Sequence, residues 1–343
     1  MRYPWANVSL FALLLLELAT GLAGLLGTSD PFRVLFWLHA VGAYAIFVVL
    51  FAKAAVVLDV VRRRPGLDPD RVGLAVMAAL LFAVLVTGLV WITSGPHYLL
   101  GISLINFHAF LAVALLFPLL RHAFDRRWIL RVPASRNRRA FLRFAGVTLA
   151  GLALWQAERV AQRLGHTPGS RRRFTGSYER ASFSSAFPAV SWLNDDPEPV
   201  DAGSWRLAVD GAVERPLSLD YLEFQGMAGA AVTASIDCTG GWYSRQRWDG
   251  VPLAHLLETA GLRDGARSVS VESVTGYARR FSLDHTHRLL LATSAAGEHL
   301  SHGHGFPARL VVPDRRGFDW VKWVTRVRVL ESSHLLQPPL PLS

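Results

Sequence analysis

The sequence predicts a chain of two unlike parts: an N-terminal transmembrane helical bundle of about five spans, then a β-rich α+β domain. Three observations carry this. Long apolar runs alternate with arginine blocks over residues 1 to about 160. From Trp205 onward the hydrophobic pattern shortens to strand-like alternation. The composition is 51% hydrophobic, yet the formal net charge is +10, and those two properties belong to different stretches of the chain. The single cysteine among 343 residues excludes an internal disulfide framework.

Four apolar segments come first, roughly 6–27, 34–60, 72–94 and 104–121, each meeting the need for about 20 apolar residues per bilayer crossing. A fifth, 141–160, is shorter and more polar at its end. The first segment has a weakly basic start and no small-residue cleavage site, and further spans follow. It therefore reads as a retained span.

Orientation follows from arginine. Arg62, Arg63 and Arg64 close the second span, and Arg121, Arg126, Arg127, Arg131, Arg136, Arg138, Arg139 and Arg143 fill the gap before the fifth. The loops GTSDPFR and SGPHYLLGIS carry little positive charge. The positive-inside rule puts the N-terminus and both basic loops in the cytoplasm and delivers the second half to the outer, periplasmic side of the cell membrane. Arg171, Arg172 and Arg173 then lie outside, in a linker that reads as solvated. The stretch SRNRRAFLRFAG resembles a twin-arginine export signal: paired Arg138 and Arg139, then Phe141, Leu142 and Arg143. That resemblance implies export of a folded domain with its cofactor already inserted.

Two histidines stand near the outer starts of spans that run the same way, His39 in FWLHAVGAYAIF and His108 in LINFHAFLAVAL. In an up-down bundle, spans two and four are diagonal and parallel. Two imidazoles can then ligate one haem iron from opposite sides. This loosely resembles b-type cytochrome bundles and predicts one haem b on His39 and His108. The alternative is polar packing between helices. His122 lies about 21 Å of helix beyond His108 on nearly the same face. The matching place on span two holds Lys53, so no second haem is expected.

In the second half, WRLAVDGAVERPLSL reads as strand, turn, strand, and VPLAHLLETAGL as a short helix stopped by Gly261. ARSVSVESVTGYARRFSL, RLLLATSA, ARLVVPD and VKWVTRVRVLE are strand-like. Arg279 and Arg280 read as a solvated strand edge. Trp242, Trp248, Trp320 and Trp323 read as packing.

The stretch ASIDCTGGWYSRQRWDG holds the lone cysteine, Cys238, before two glycines and among aromatics and arginines. Filler, nucleophile and metal ligand are all open to it. A thiolate in an electropositive, partly enclosed pocket suits a thiophilic metal. Further on, HLSHGHGFPARLVVPDRRGFDWVKW offers His304, Arg309 and Lys322, groups suited to gripping phosphate. His299, His302 and His304 also have a spacing open to zinc or copper, though no carboxylate or further cysteine joins them.

Together these residues resemble the molybdenum-cofactor domain of the sulfite oxidase superfamily over most of 174–331. The motifs in order are a strand ending in Cys with a nearby Trp, a helix start, a V-x-G-Y segment, H-G-F-P-x-R, and a closing V-K-W. The resemblance implies that Cys238 ligates molybdenum, that His304 and Arg309 bind the pterin, and that Lys322 contacts its tail. Thr239 and Tyr277 lie in segments used around the metal and pterin. One departure bears on substrate. The family's F-x-x-R-x-H stretch is replaced by FPAVSWLND, which lacks that arginine and histidine and argues against sulfite. Arg245 or Arg247 could supply the anion contact instead.

The expected organisation is a four-helix transmembrane bundle over 1–125, and a basic loop, fifth span and linker over 126–173. A molybdopterin-binding oxidoreductase domain over 174–333 and a Pro-rich tail over 334–343 follow. The expected activity is oxygen-atom transfer to or from a small molecule by a molybdenum-molybdopterin enzyme. Its electrons would pass through the membrane domain to the quinone pool or a redox partner. Lipid, and no nucleic acid, is the expected macromolecular environment. A sulfoxide or N-oxide reductase is the alternative within enzymes, and a membrane-tethered binding module without redox activity the alternative outside them.

Overall fold

A computed structural model describes residues 4–63, 69–125, 138–192 and 195–341. Arg64, Arg126, Arg127, Arg131 and Arg136 of the basic loops lie outside the described residues. The chain forms two compact units. One is Met1–Leu25 with Ser29–Tyr178, the other Leu26–Thr28 with Glu179–Ser343.

The first unit is helical: α1 (Pro4–Ala23), α2 (Asp30–Arg63), α3 (Pro69–Ser94), α4 (Leu104–Asp125) and α5 (Arg138–Leu164), with a minimal hairpin, β1 (Tyr98–Leu99) and β2 (Ile102–Ser103), before α4. Helix α1 packs on α2, α3 on α4, and α5 on α2. Leu13, Ala45, Ile46, Val49, Leu81, Leu85, Leu115 and Val147 fill the centre. Large apolar side chains also point outward: Phe51 is 87% exposed and Phe117 71%. Rings so exposed on long apolar helices fit a lipid surround rather than water. A Cβ built on Gly151 of α5 would lie 2.8 Å from the Val41 carbonyl of α2, so glycine allows these two backbones to touch.

Four described helices are long and apolar enough to cross a membrane: Trp5–Ala23, Asp30–Ala54, Val72–Ser94 and Leu104–Phe124. The expected fifth span forms α5, a helix of 27 residues that carries arginines in its first turns and Glu158, Arg159 and Arg163 toward its end, and it is not among those four. Of the linker arginines, Arg171 is exposed as expected, while Arg172 differs. Arg172 is not simply solvated: Nη1 donates to the carbonyls of Ile92 at 2.9 Å and Gly169 at 2.7 Å and to Gln162 Oε1 at 2.5 Å. Its Nη2 lies 3.6 Å from Glu158. The cause is the end of α3, whose last carbonyls lack helical partners and attract a cation. Tyr178 Oη also donates to that end, to the Trp91 carbonyl at 2.6 Å.

After β3 (Tyr178–Glu179), the second unit contains β4 (Arg206–Gly211), β5 (Leu217–Asp220), α6 (Tyr221–Gly226), β6 (Ala230–Asp237), β7 (Trp242–Pro252) and α7 (Leu253–Ala260). Then come β8 (Ser268–Ser273), β9 (Ala278–Ser282), β10 (Leu290–Ala295), β11 (Glu298–His299), β12 (Arg309–Val311) and β13 (Val324–Leu330). One sheet has the order β5-β4-β13-β8-β9, with β4 and β13 parallel and the other pairs antiparallel. The other is built on β10 and β7, with β11 and β12 on β10 and β6 on β7. Alternation dictates the burial: Leu207, Val209, Val269, Val271, Val327 and Val329 are all inside one core. Helix α7 ends where the sequence predicts, at Gly261 with φ +70°.

Arg279 is not at a solvated edge. It is buried, and its Nε donates to Asp319 Oδ1 at 2.7 Å. It shares the inward face of β9 with Phe281, while Arg280 is only half-buried. The Pro-rich tail covers β9: Gln337 accepts from Arg280 N at 2.9 Å and donates to Arg280 O at 2.7 Å. An otherwise unpaired strand edge is closed by this strap.

Candidate active site

Cys238 follows the last residue of β6, where the β6–β7 hairpin turns. The turn closes with Cys238 N–H on Trp242 O at 2.8 Å and Gly241 N–H on Cys238 O at 3.1 Å, with Gly241 at φ +87°. That left-handed position suits glycine. The Gly240 N–H reaches Sγ at 3.3 Å. The residue is half-buried. Burial pushes the thiol up, the neighbouring Asp237 carboxylate adds to that, and the Gly240 N–H and the guanidiniums of Arg316 and Arg309 oppose it.

Arg309, at the start of β12, is buried, with Nη1 donating to His304 O at 2.9 Å and the guanidinium 5.6 Å over the Trp248 ring. Its Nε is buried with no acceptor among the described residues. Burial holds Arg309 down to about 10. Lys322 is buried beside it, with Nζ donating to Ser191 Oγ at 2.9 Å and Gly303 O at 3.0 Å. Burial first, then the charge of Arg309, lowers this amine to about 8. Two buried cations, one with an unused donor, suit an anionic ligand.

His304 stacks on Phe187 with centroids 3.9 Å apart. Its Nε2 lies 2.8 Å from Phe187 O and its Nδ1 2.9 Å from Ser301 Oγ. A carbonyl only accepts, so Nε2 carries the hydrogen and Nδ1 receives the Ser301 hydroxyl. Burial favours this neutral ring. Both ring nitrogens therefore face protein atoms, and what His304 gives Arg309 is its carbonyl. Tyr277 Oη likewise donates to Phe318 O at 2.6 Å, and burial raises its pKa. Thr239 is half-buried in the turn beside Cys238.

Arg245 and Arg247 are not at the cysteine. Register pairs Arg245 with Ser235 and Arg247 with Thr233, both are exposed, and Arg247 is 3.2 Å from Asp249. Strand alternation turns them outward while Trp242, Ser244, Gln246 and Trp248 turn in. Among the described residues no three His, Cys, Asp or Glu side chains group as a metal site, so His299, His302 and His304 form none. Trp242, Trp248, Trp320 and Trp323 are buried as packing, with Trp248 and Trp320 5.4 Å apart.

Sequence reasoning missed four contributors. Asp237 and Arg316 form a fully buried ion pair at 2.6 Å directly before Cys238. Phe187 and Ser191, in the stretch FPAVSWLND, hold His304 and Lys322. The signals present were the acid next to the lone cysteine and the RRG following the H-G-F-P-x-R stretch.

In the helical unit, His39 and His108 are brought together, their ring centroids 6.1 Å apart and their planes at 83°. Nδ1 of His39 lies 3.1 Å from Glu17 O, and Nδ1 of His108 lies 2.9 Å from Val84 O. Each carbonyl needs a donor, so each Nε2 is left with its lone pair.

A β-rich domain with a half-buried thiol and a nearby buried arginine that has an unused donor suits a cofactor-binding class of protein. The family description "oxidoreductase molybdopterin binding domain" matches residues 194–335. The second unit therefore carries a molybdopterin-binding oxidoreductase domain of the sulfite oxidase superfamily. The uncharacterized oxidoreductase YuiH of Bacillus subtilis is 28% identical over 153 residues, 44% of this chain and 77% of that protein. The protein-methionine-sulfoxide reductase catalytic subunit MsrP of Gluconobacter oxydans is 31% identical over 149 residues, 37% of this chain and 47% of that protein. The chain thus spans about half the length of that relative. The sulfane dehydrogenase SoxCD of Paracoccus pantotrophus is 29% identical, covering 39% of this chain and 40% of that one, with a TM-score of 0.37.

Proposed function

We propose that the chain is a membrane-anchored molybdopterin enzyme that transfers an oxygen atom to or from a small substrate. The observation that carries this is Cys238 Sγ in a turn whose neighbours include Arg309, a buried cation with an unused Nε donor. Molybdenum bound to the pterin supplies two-electron oxygen-atom chemistry. Cys238 is the protein ligand to it. Arg309 and Lys322 hold the anionic pterin, His304 fixes Arg309 through its carbonyl, and Thr239 and Tyr277 line the same region. Sulfoxide or N-oxide reduction is the favoured direction. FPAVSWLND lacks the arginine and histidine expected for sulfite, and a relative at 31% identity is named as a methionine-sulfoxide reductase subunit.

The helical unit anchors the enzyme and holds one haem b between His39 and His108. His39 and His108, with ring centroids 6.1 Å apart and each Nδ1 held by a backbone carbonyl, would offer their free Nε2 atoms to the iron. The export signal at Arg138 and Arg139 puts the catalytic domain on the periplasmic side, with quinone or a redox protein as electron partner.

Metal analysis of the purified full-length protein tests the central claim. Molybdenum near one atom per chain is expected, with methionine sulfoxide or an N-oxide consumed in the presence of a reduced viologen. A protein free of molybdenum after expression in a cofactor-producing host is instead a tethered binding module.

A further inference from the structure

The two histidine-bearing helix pairs, α1 with α2 and α3 with α4, carry one device twice. Four residues after each carbonyl that holds an Nδ1 stands a glycine, Gly21 after Glu17 and Gly88 after Val84. A Cβ on Gly21 would lie 3.3 Å from His39 Cε1, and one on Gly88 would lie 3.0 Å from His108 Cε1 and Nδ1. Each imidazole thus lies across a glycine of the neighbouring helix and is steered by the carbonyl one turn earlier.

The two sites then diverge. Glu17 Oε2 also lies 3.0 Å from His39 Nδ1, and Thr20 Oγ1 lies 3.2 Å from it. The Thr20 hydroxyl donates to the Leu16 carbonyl at 2.7 Å, so it too can only accept from the ring. No side chain among the described residues plays this part at His108 Nδ1. Glu17 is not placed by solvent: its Oε1 is buried with no hydrogen-bond partner and lies against Gly42, where any Cβ would collide with it.

We infer that Glu17 is a positioning residue for His39 that makes the two haem ligands electronically unlike and holds the haem potential down. This rests on the haem reading of His39 and His108. A carboxyl oxygen on Nδ1–H raises the basicity of Nε2, which favours ferric over ferrous iron. The carboxyl also fixes ring orientation, and Gly42 leaves room for it to reach.

The test is a spectroelectrochemical titration of the full-length protein in detergent, comparing wild type, Glu17→Gln and Glu17→Ala. All three should show a b-type spectrum. In Glu17→Ala the ferrous/ferric ratio at fixed potential should rise about tenfold, an upward midpoint shift of about 59 mV. Glu17→Gln, whose amide can turn either its oxygen or its NH2 toward Nδ1, should fall between. An unchanged midpoint in Glu17→Ala overturns the inference and leaves the haem reading standing. If Glu17→Ala assembles no haem, Glu17→Gln decides, and a wild-type midpoint there overturns it equally. A wild-type protein without any b-type spectrum overturns the haem reading and the inference together.

Discussion

The Arg316 guanidinium lies 2.6 Å from the Asp237 carboxylate, both fully buried, and Asp237 is the residue whose chain leads directly into Cys238. A backbone bridge joins the same two positions. The thiol is therefore set at the end of β6 by an ion pair as well as by the hairpin turn. Removing one partner of such a pair strands a buried charge at a cost of about 3–5 kcal/mol. Arg316→Met should lower the unfolding free energy of the second unit by that order. The double variant Arg316→Met/Asp237→Leu should recover much of it. Chemical denaturation followed by tryptophan fluorescence reports both. A single variant within about 0.5 kcal/mol of wild type means the pair is dispensable.

Cys238→Ser keeps the volume and the turn hydrogen bonds while removing the soft ligand. Oxygen-atom transfer should fall by more than the about 10–100-fold typical of losing an outer-shell partner of a metal. The thermal midpoint should barely move. Activity at wild-type level in this variant removes Cys238 from the metal.

The lowered Lys322 amine gives opposite pH effects on folding and on binding. The ordinary lysine value is 10.5 and the folded value is about 8. Between those values the unfolded chain binds the extra proton, so this group's contribution to stability rises with pH. It is fully unfavourable below about 8 and relieved above the unfolded value. Anion binding needs the charged amine, so affinity of the cofactor-free protein for the pterin should weaken as pH rises through about 8. Lys322→Arg should flatten that dependence between pH 7 and 9. Cofactor titration by fluorescence quenching measures it, and identical profiles for the two proteins assign the pH effect elsewhere.

Arg138→Lys with Arg139→Lys should leave α1 to α4 inserted and keep the catalytic domain on the cytoplasmic side. Protease added to the outer face of spheroplasts should then no longer cut beyond residue 174. Unchanged cutting reduces the arginine pair to a topology signal.

Local patterns made much of this legible. The β4–β5 strand pair, α7 with its Gly261 stop, and strands β8, β10 and β13 all follow from short stretches whose period and turn residues speak for themselves. What stayed hidden depends on distant partners. Arg279 looks like a surface charge until Asp319 and the Pro-rich strap close over it. Arg172 looks solvated until α3 presents its last carbonyls. His304 reads as a ligand from its motif, while the bonds to Phe187 and Ser301 come from tertiary packing. Glu17 did have a signal: a carboxyl inside LLLLELAT is costly in a span and marks function by default.

Arg309 and Lys322 side by side in the interior also bear on the life history of the protein. Two like charges withdrawn from water strain the fold until an anion neutralises them, so loading of the proposed anionic cofactor there would act as a final folding step. A ligand at 100 times its dissociation constant adds about 2.7 kcal/mol to the stability of the state that binds it. On that proposal the unloaded domain would be the softer target for proteases, and a cell could sort loaded from unloaded protein by durability alone.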